Sequence, residues 1–190
     1  MIDLRFLTPA DPDDWPLWRD ARLAALRDAP HAFKVRLSDW PTGGEEEWRA
    51  RFARRDAVHV VAVSADGRPL GPAGGIPSPG RDGVAELRSL WVGPEARGRR
   101  TGDRLLAAVE AWARRTGRTS LRLAVLAGNA PAEALYRRNG FTDADEPYAP
   151  YEPYAPSTPD RSVGGGAPGA ERAFGERVMV KRLVPVVPER

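Results

Sequence analysis

Apolar and polar residues follow strand and helix periods in the first part of the chain. Alternation over residues 2–6, with Ile2, Leu4 and Phe6 on one side, predicts a strand. Aspartates then precede an apolar stripe of helical spacing, which predicts a helix that ends before Pro30. The segment 30–44 ends in Pro-Thr-Gly-Gly and predicts a loop.

The middle of the chain has the pattern of a helix followed by three strands. Trp48 and Phe52 lie four residues apart in a helix that we predict over 45–55. Asp66-Gly67 is a hairpin turn signal between two apolar runs. The strands predicted in this region cover 58–64, 70–76 and 84–92.

Helical and alternating patterns follow one another in the second half. A helical period starts at Thr101 and stops at Gly117, and Asn129 is a good N-cap for a short helix over 130–138. Further strands are predicted over 121–125 and 176–183. Antiparallel strands come first and crossovers later, so the order predicts an α+β fold with a mixed sheet.

The whole chain, 1–190, has the length and composition of one soluble domain. Hydrophobic residues make up 42% and charged residues 29%. Residues 143–173 are rich in proline, glycine and tyrosine and predict a long flexible loop, and 185–190 predict a loose tail. We find neither a long apolar run nor a basic start before an apolar stretch, and therefore expect no membrane partner, no secretion signal and a cytoplasmic location.

The cysteine, histidine and charge content excludes several kinds of site. The chain has no cysteine, which excludes disulfides, thiolate metal sites and a cysteine nucleophile. The two histidines, His31 and His59, both lie in the N-terminal third, so we expect no metal. The net charge is +3, and a nucleic-acid binder would show a denser basic stripe with interleaved aromatic residues, so we expect no nucleic-acid partner.

The segment with the most chemical information is 85–106. A strand runs into a loop rich in arginine and glycine, and this loop opens a helix. A helix N-terminus presents free N–H groups and the positive end of the helix dipole, so it predicts a site for phosphate. A plain turn with solvated arginines explains the pattern equally well. The loop has neither the P-loop nor the GxGxxG pattern, which argues against a nucleotide triphosphatase and a dinucleotide-binding dehydrogenase.

Two motifs resemble those of the GNAT (GCN5-related N-acetyltransferase) superfamily. Arg97-Gly98-Arg99-Arg100-Thr101-Gly102 is similar to motif A, Arg/Gln-x-x-Gly-x-Gly/Ala, and Asn129 with 132–141 is similar to motif B. The resemblance covers 84–141. It implies a twisted, mostly antiparallel sheet of six to seven strands flanked by about four helices. It also implies acetyl-CoA as co-substrate and no metal.

The resemblance implies that the strand before motif A binds pantetheine and that motif A binds the pyrophosphate. The Leu90 N–H would polarise the thioester carbonyl. The residues thereby placed at acetyl-CoA are Leu90, Trp91, Val92, Arg97, Gly98, Arg99, Arg100, Thr101, Gly102 and Asn129. Asn129 is interpreted equally well as a helix cap alone. The family usually has glycine at the position of Arg100, and arginine is compatible there if the residue keeps helical angles.

Glu86 and Tyr136 are the candidate catalytic residues. Glu86 stands eleven residues before Arg97, the spacing of the general base in histone acetyltransferases of the superfamily, and in a regular strand it would share a face with Arg88 and Leu90. It could instead be an exposed strand glutamate paired with an arginine. Tyr136 occupies the motif B position of the family's general acid, or else packs as a helix aromatic under Phe141.

The leading hypothesis for function is acetylation of a primary amine on a small molecule by direct attack in a ternary complex, since no cysteine is present to form an acyl-enzyme. Protein N-terminal or lysine acetylation is an alternative, and a non-catalytic acyl-CoA sensor is another. The stretch 31–48 falls where many members build the acceptor pocket, and 146–156 is either a lid or a disordered insertion. The tryptophans, including Trp91, are core residues rather than an aromatic cage in the simpler interpretation. A homodimer through the last strand and tail is possible.

Overall fold

The computed structural model describes residues 1–33, 37, 45–144 and 175–184. The strands are β1 (Ile2–Leu7), β2 (Val58–Ser64), β3 (Pro69–Pro77), β4 (Val84–Arg88), β5 (Ser120–Leu126), β6 (Thr142–Asp143) and β7 (Glu176–Arg182). The helices are α1 (Asp14–Asp28), α2 (Glu45–Phe52), α3 (Thr101–Arg115) and α4 (Ala130–Arg138), with short 3-10 helices at Pro30–Ala32 and Pro94–Ala96.

The strands form one sheet in the order β1-β2-β3-β4-β5-β7-β6. Every neighbouring pair is antiparallel except β4 and β5, which are parallel because α3 connects them as a crossover. The predicted α+β class, with six to seven strands and about four helices, is confirmed.

Two apolar cores lie on opposite faces of this sheet. On one face, α3 and α4 pack their apolar residues, including Leu105, Leu106 and Leu135, on the centre of the sheet. On the other face, α1 and α2 cover β2 with Leu26 and Phe52. Each helix has one apolar stripe, and the sheet offers each stripe a face to bury it on.

Several predicted boundaries shift in the structure. Phe6 is exposed although it continues the alternation of β1, and Leu7 is buried on the opposite face instead. The second helix ends at Phe52 rather than at residue 55. Asp143, predicted to begin the long loop, belongs to β6 because it pairs with Met179 of β7.

The other predictions for non-repetitive segments concern residues that the structure does not describe. The rest of the predicted loop at 143–173, the tail at 185–190 and most of 34–44 fall among them. Among the described residues, no helix is long and apolar enough to cross a membrane.

Candidate functional site

The parallel strands β4 and β5 separate after a short paired segment. Their register ends at the pair of Glu86 with Arg122. Beyond this point β4 continues along β3, whereas β5 continues along β7 through Leu126. A gap in the middle of the sheet therefore opens directly after Glu86, and its edges have backbone groups without a neighbouring strand.

A β-bulge at Ser89 forms one edge of this gap. Ser89 has a left-handed φ of 57°. Arg88 pairs with Gly74 of β3, and the Trp91 N–H then donates to the carbonyl of Pro72 at 3.1 Å, so β4 has two intervening residues where β3 has one. The extra residue reverses the alternation of side chains along β4.

Because of this reversal, the expectation that Glu86 and Leu90 lie on the same face of the strand is wrong. Leu87 and Leu90 both pack on the core beneath α3, whereas a regular strand would place them on opposite faces. Trp91 correspondingly turns to the α1 side, where its indole N–H donates to Asp28 at 2.9 Å. A one-residue insertion is sufficient for this change because side chains alternate with period two.

The bulge also directs two backbone N–H groups into the gap. The N–H groups of Trp91 and Gly93 donate to β3, the second at 2.7 Å to the Leu70 carbonyl. Successive N–H groups of an extended chain point in opposite directions, so those of Leu90 and Val92 point away from β3. No described residue accepts a hydrogen bond from either group. This arrangement fits the predicted contacts of Leu90 and Val92 with an amide-bearing chain and a thioester carbonyl.

The motif A loop ends in a helix N-terminus with free donors. Among the described residues, no group accepts a hydrogen bond from the N–H of Arg99, Arg100, Thr101 or Gly102. The side chains of Arg99 and Arg100 are exposed beside these donors. Unpaired N–H groups, the positive end of the α3 dipole and exposed guanidinium groups together fit a pyrophosphate.

Arginine was expected to be compatible with this position if it kept helical backbone angles, and Arg100 does not keep them. Its φ of 57° and ψ of 19° are left-handed, and its side chain makes no capping hydrogen bond. Gly98 before it is also left-handed, with φ 72°. The left-handed region is costly for a residue with a Cβ, and this explains why a glycine at this position would suit the loop.

Asp28, at the C-terminal end of α1, is a residue that the sequence interpretation missed. Its carboxylate accepts hydrogen bonds from the Trp91 indole and from the Arg97 guanidinium. The Arg97 Nε also donates to the Val92 carbonyl at 3.0 Å. The Trp91 bond and the Arg97 charge hold the pKa of Asp28 below its usual value. Arg97 therefore ties helix α1 to the backbone at the gap.

The remaining motif residues have local structural roles in addition to those predicted. The Thr101 hydroxyl donates to the Ala96 carbonyl at 2.9 Å. A Cβ on Gly102 would lie 3.1 Å from Leu135, so the glycine permits the close approach of α3 and α4. The Asn129 carbonyl oxygen caps α4 by accepting from Ala132 N–H at 3.3 Å. The predicted contacts of these residues with acetyl-CoA stay predictions.

Glu86 lies in a buried polar cluster on the α1 side of β4. Its side chain is 3% exposed. One carboxylate oxygen accepts from the Ser78 hydroxyl at 2.8 Å, and the other accepts from the Arg88 guanidinium at 2.5 Å. The buried Arg122 stands opposite Glu86 in the register of β5. The alternative of an exposed glutamate is wrong, although its pairing with an arginine is confirmed.

Tyr136 is buried in α4 and packs against Phe141, with ring centroids 5.8 Å apart. Burial raises the pKa of its phenol. No described residue forms a hydrogen bond with its hydroxyl. The packing role is therefore present, and the proton-donor role stays a prediction.

Among the described residues, no group of three or more histidine, aspartate or glutamate side chains could hold a metal ion.

The sequence model described as Acetyltransferase (GNAT) family matches residues 18–141. Mycothiol acetyltransferase of Arthrobacter sp. is 31% identical over an alignment of 154 residues, and the match covers 78% of this chain and 46% of that protein. The IAA acetyltransferase of Azospirillum brasilense is 39% identical over an alignment of 131 residues, and the match covers 66% of this chain and 76% of that protein.

Solved structures show the same fold. The structure of yncA from Salmonella typhimurium with its cofactor acetyl-CoA has a TM-score of 0.65 and 21% sequence identity, and the match covers 100% of this chain and 98% of that chain. At this identity the likeness shows the fold alone. The chain spans less than half the length of the mycothiol acetyltransferases that it matches.

Proposed function

Because the chain belongs to the Acetyltransferase (GNAT) family, we propose that it transfers the acetyl group of acetyl-CoA to a primary amine of a small molecule by direct attack in a ternary complex. The observation that carries this proposal is the gap between β4 and β5, with the free N–H groups of Leu90 and Val92 at its edge and the open N-terminus of α3 beyond it. Relatives named for mycothiol and for IAA support a small-molecule acceptor.

The free backbone donors would hold acetyl-CoA at its amides and its pyrophosphate. Acetyl-CoA supplies an activated thioester, and the chain supplies the groups around it. The Leu90 N–H would stabilise negative charge on the thioester oxygen, and a single donor of this kind contributes about 3 kcal/mol. Arg99 and Arg100 would pair with phosphate oxygens because a guanidinium presents several donors in one plane.

Glu86 would accept the proton of the attacking amine. An alkylamine has a pKa near 10 and must lose a proton before or during attack. Each carboxylate oxygen has a second lone pair, so Glu86 can accept this proton while it keeps its bonds to Ser78 and Arg88. Ser78 and Arg88 fix the carboxylate in one orientation, as proton transfer to a positioned base requires.

Tyr136 would return a proton to the departing thiolate. A phenol is protonated at neutral pH, and a donor held next to the sulfur can transfer its proton as the thiolate forms. We expect Tyr136→Phe to lower kcat while the melting temperature stays near that of the wild type, because no described partner of the hydroxyl is lost. Release of CoA in a thiol assay measures kcat, and thermal unfolding provides the control.

The first experiment compares the wild type with Glu86→Gln. Both proteins are tested for a rise in melting temperature with acetyl-CoA, in parallel with ATP and NAD, and for CoA release with a panel of primary amines. Removal of a general base lowers kcat about 10²–10⁴-fold. We expect the loss to shrink as the pH approaches the pKa of the amine, because the amine then needs no base.

The outcomes separate the proposal from its alternatives. Acetyl-CoA binding without CoA release for any amine would indicate a sensor. Turnover restricted to lysine-bearing peptides would indicate protein acetylation. Equal kcat for wild type and Glu86→Gln across the pH range would remove Glu86 from the mechanism, and absence of acetyl-CoA binding would refute the proposal as a whole.

A further inference from the structure

The carboxylate of Asp28 joins the end of α1 to the segment 90–93 at the edge of the gap. Its Oδ2 accepts from the Trp91 indole N–H at 2.9 Å and from the Arg97 guanidinium. Trp91 is buried, whereas the side chains of Asp28 and Arg97 are 29% and 53% exposed. An exposed ion pair adds little to stability, so the bond between Asp28 and Arg97 indicates a role in positioning.

The Arg97 side chain is used on the backbone of the protein itself. Its Nε–H donates to the Val92 carbonyl at 3.0 Å while its Nη2 pairs with Asp28. A guanidinium is planar, so bonds at two of its nitrogens fix its orientation. Arg99 differs, because its exposed side chain has no bonding partner in the parts of the chain that the structure describes. Arg99 is therefore available for phosphate, whereas Arg97 is already engaged beside the gap.

The peptide group between Val92 and Gly93 is held from both sides. Its carbonyl oxygen accepts from Arg97, and its N–H donates to a β3 carbonyl at 2.7 Å. The preceding residue is fixed as well, since Trp91 bonds β3 through its backbone N–H and Asp28 through its indole. The Val92 N–H lies between these two fixed units and points into the gap. The direction of this donor therefore depends on both bonding partners of Asp28.

We propose that Asp28 is a positioning residue for acetyl-CoA, and that it directs the Val92 N–H towards an amide carbonyl of the pantetheine arm. It acts through its bonds to Trp91 and Arg97. The inference rests on the proposed acetyl-CoA site between β4 and β5. A donor that is fixed before the ligand arrives does not have to be ordered on binding, so it contributes more to affinity.

Calorimetric titration with acetyl-CoA, well below the melting temperature of each protein, compares the wild type with Asp28→Ala and Asp28→Asn. Loss of one preorganised hydrogen bond should raise the Kd of Asp28→Ala about three- to tenfold. Removal of a negative charge near a polyanionic ligand would by itself tighten binding, so weaker binding has the opposite sign to the electrostatic effect. Asparagine keeps an oxygen that can accept both bonds, so Asp28→Asn should bind more like the wild type than like Asp28→Ala.

The stoichiometry of the same titration distinguishes positioning from a loss of stability. Partial unfolding of Asp28→Ala would lower the amount of acetyl-CoA bound per chain and leave the Kd of the folded fraction unchanged. A misdirected donor should raise the Kd at the stoichiometry of the wild type.

Arg97→Ala tests the same relay and leaves the bond between Asp28 and Trp91 in place, and Arg99→Ala is its matched control. Salt screens an arginine that pairs with phosphate, so Arg99→Ala should make the Kd less dependent on ionic strength. Arg97→Ala should raise the Kd with a smaller change in this dependence. The double variant of Asp28 and Arg97 should lose less affinity than the two single losses combined, because both side chains act on Val92.

Three results would overturn the positioning role. They are an unchanged or lower Kd in Asp28→Ala, equal weakening by Asp28→Asn and Asp28→Ala, and a loss of salt dependence in Arg97→Ala as large as that in Arg99→Ala. The last result would assign Arg97 to the phosphate itself. In each case acetyl-CoA binding by the wild type would leave the proposed function standing, whereas no binding by the wild type would refute both proposals.

Discussion

Arg100→Gly should stabilise the protein while it weakens acetyl-CoA binding. Arg100 has φ 57° and ψ 19°, and the left-handed region costs a residue with a Cβ about 1–2 kcal/mol. A positive charge at a helix N-terminus costs about 0.3–1 kcal/mol more. Glycine itself destabilises the folded state by about 0.5–1 kcal/mol, because it has greater conformational freedom in the unfolded chain. The net gain in unfolding free energy is about 1 kcal/mol.

Thermal unfolding without ligand measures this gain, because 1 kcal/mol corresponds to about 2–4 °C for a domain of this size. Arg99→Gly is the matched control. Arg99 is also exposed at the same helix end but has no left-handed φ, so glycine relieves no strain there. The two variants should therefore differ by about the strain term, with Arg100→Gly the more stable.

Acetyl-CoA titration completes the test. Loss of a charge-assisted contact with phosphate costs about 1.5–3 kcal/mol, so the Kd of Arg100→Gly should rise about tenfold or more. If the strained backbone of Arg100 is retained because it serves acetyl-CoA binding, glycine should raise the stability and at the same time weaken the binding. An Arg100→Gly protein no more stable than Arg99→Gly would refute the strain argument, and an unchanged Kd would remove Arg100 from the phosphate site.

Two further predictions concern carboxylates that join separate elements. Asp28→Ala should lower the free energy of unfolding by about 1–2 kcal/mol in urea, because the buried Trp91 indole loses its acceptor. Asp103 of α3 binds Arg138 and Asn139, and these bonds lower its pKa from 3.8 to about 2. Its stabilisation is nearly complete above pH 4 and is lost as the pH falls through 2, so Asp103→Asn should cost about 1 kcal/mol at neutral pH, since solvent screens the exposed Arg138, and much less at pH 2. A constant difference across this range would contradict the assignment.

Local pattern was sufficient for the type and order of the four α-helices and of every strand except β6, and it indicated the helix N-terminus for which phosphate binding stays a prediction. A helix over Ala130–Arg138 follows from its cap and its period, and both are properties of adjacent residues. The helix N-terminus of α3 was visible for the same reason, because free N–H groups occur at any helix start. The family resemblance added the acetyl-CoA interpretation to these local features, and the family match over 18–141 supports it.

The orientation of residues at the gap was not a local property. Alternation predicted that Leu90 would face the same side as Glu86, and the bulge at Ser89 reversed it. Serine has no strong preference for a left-handed φ, so the position carries no signal in the sequence. The left-handed angles of Arg100 were hidden for the same reason, since they conflict with the preference of the residue itself.

The sequence by itself determined which segments form the α-helices and all strands but β6, and it predicted an anion site at the start of α3, because these depend on residues a few positions apart. The tertiary structure decided which groups meet. Asp28 reaches Arg97 across 69 positions, and Glu86 comes to stand opposite Arg122 through the register of β4 and β5. Such contacts depend on the register of strand pairing and on the pairing of buried polar groups. Neither can be predicted from the residues next to each group in the sequence.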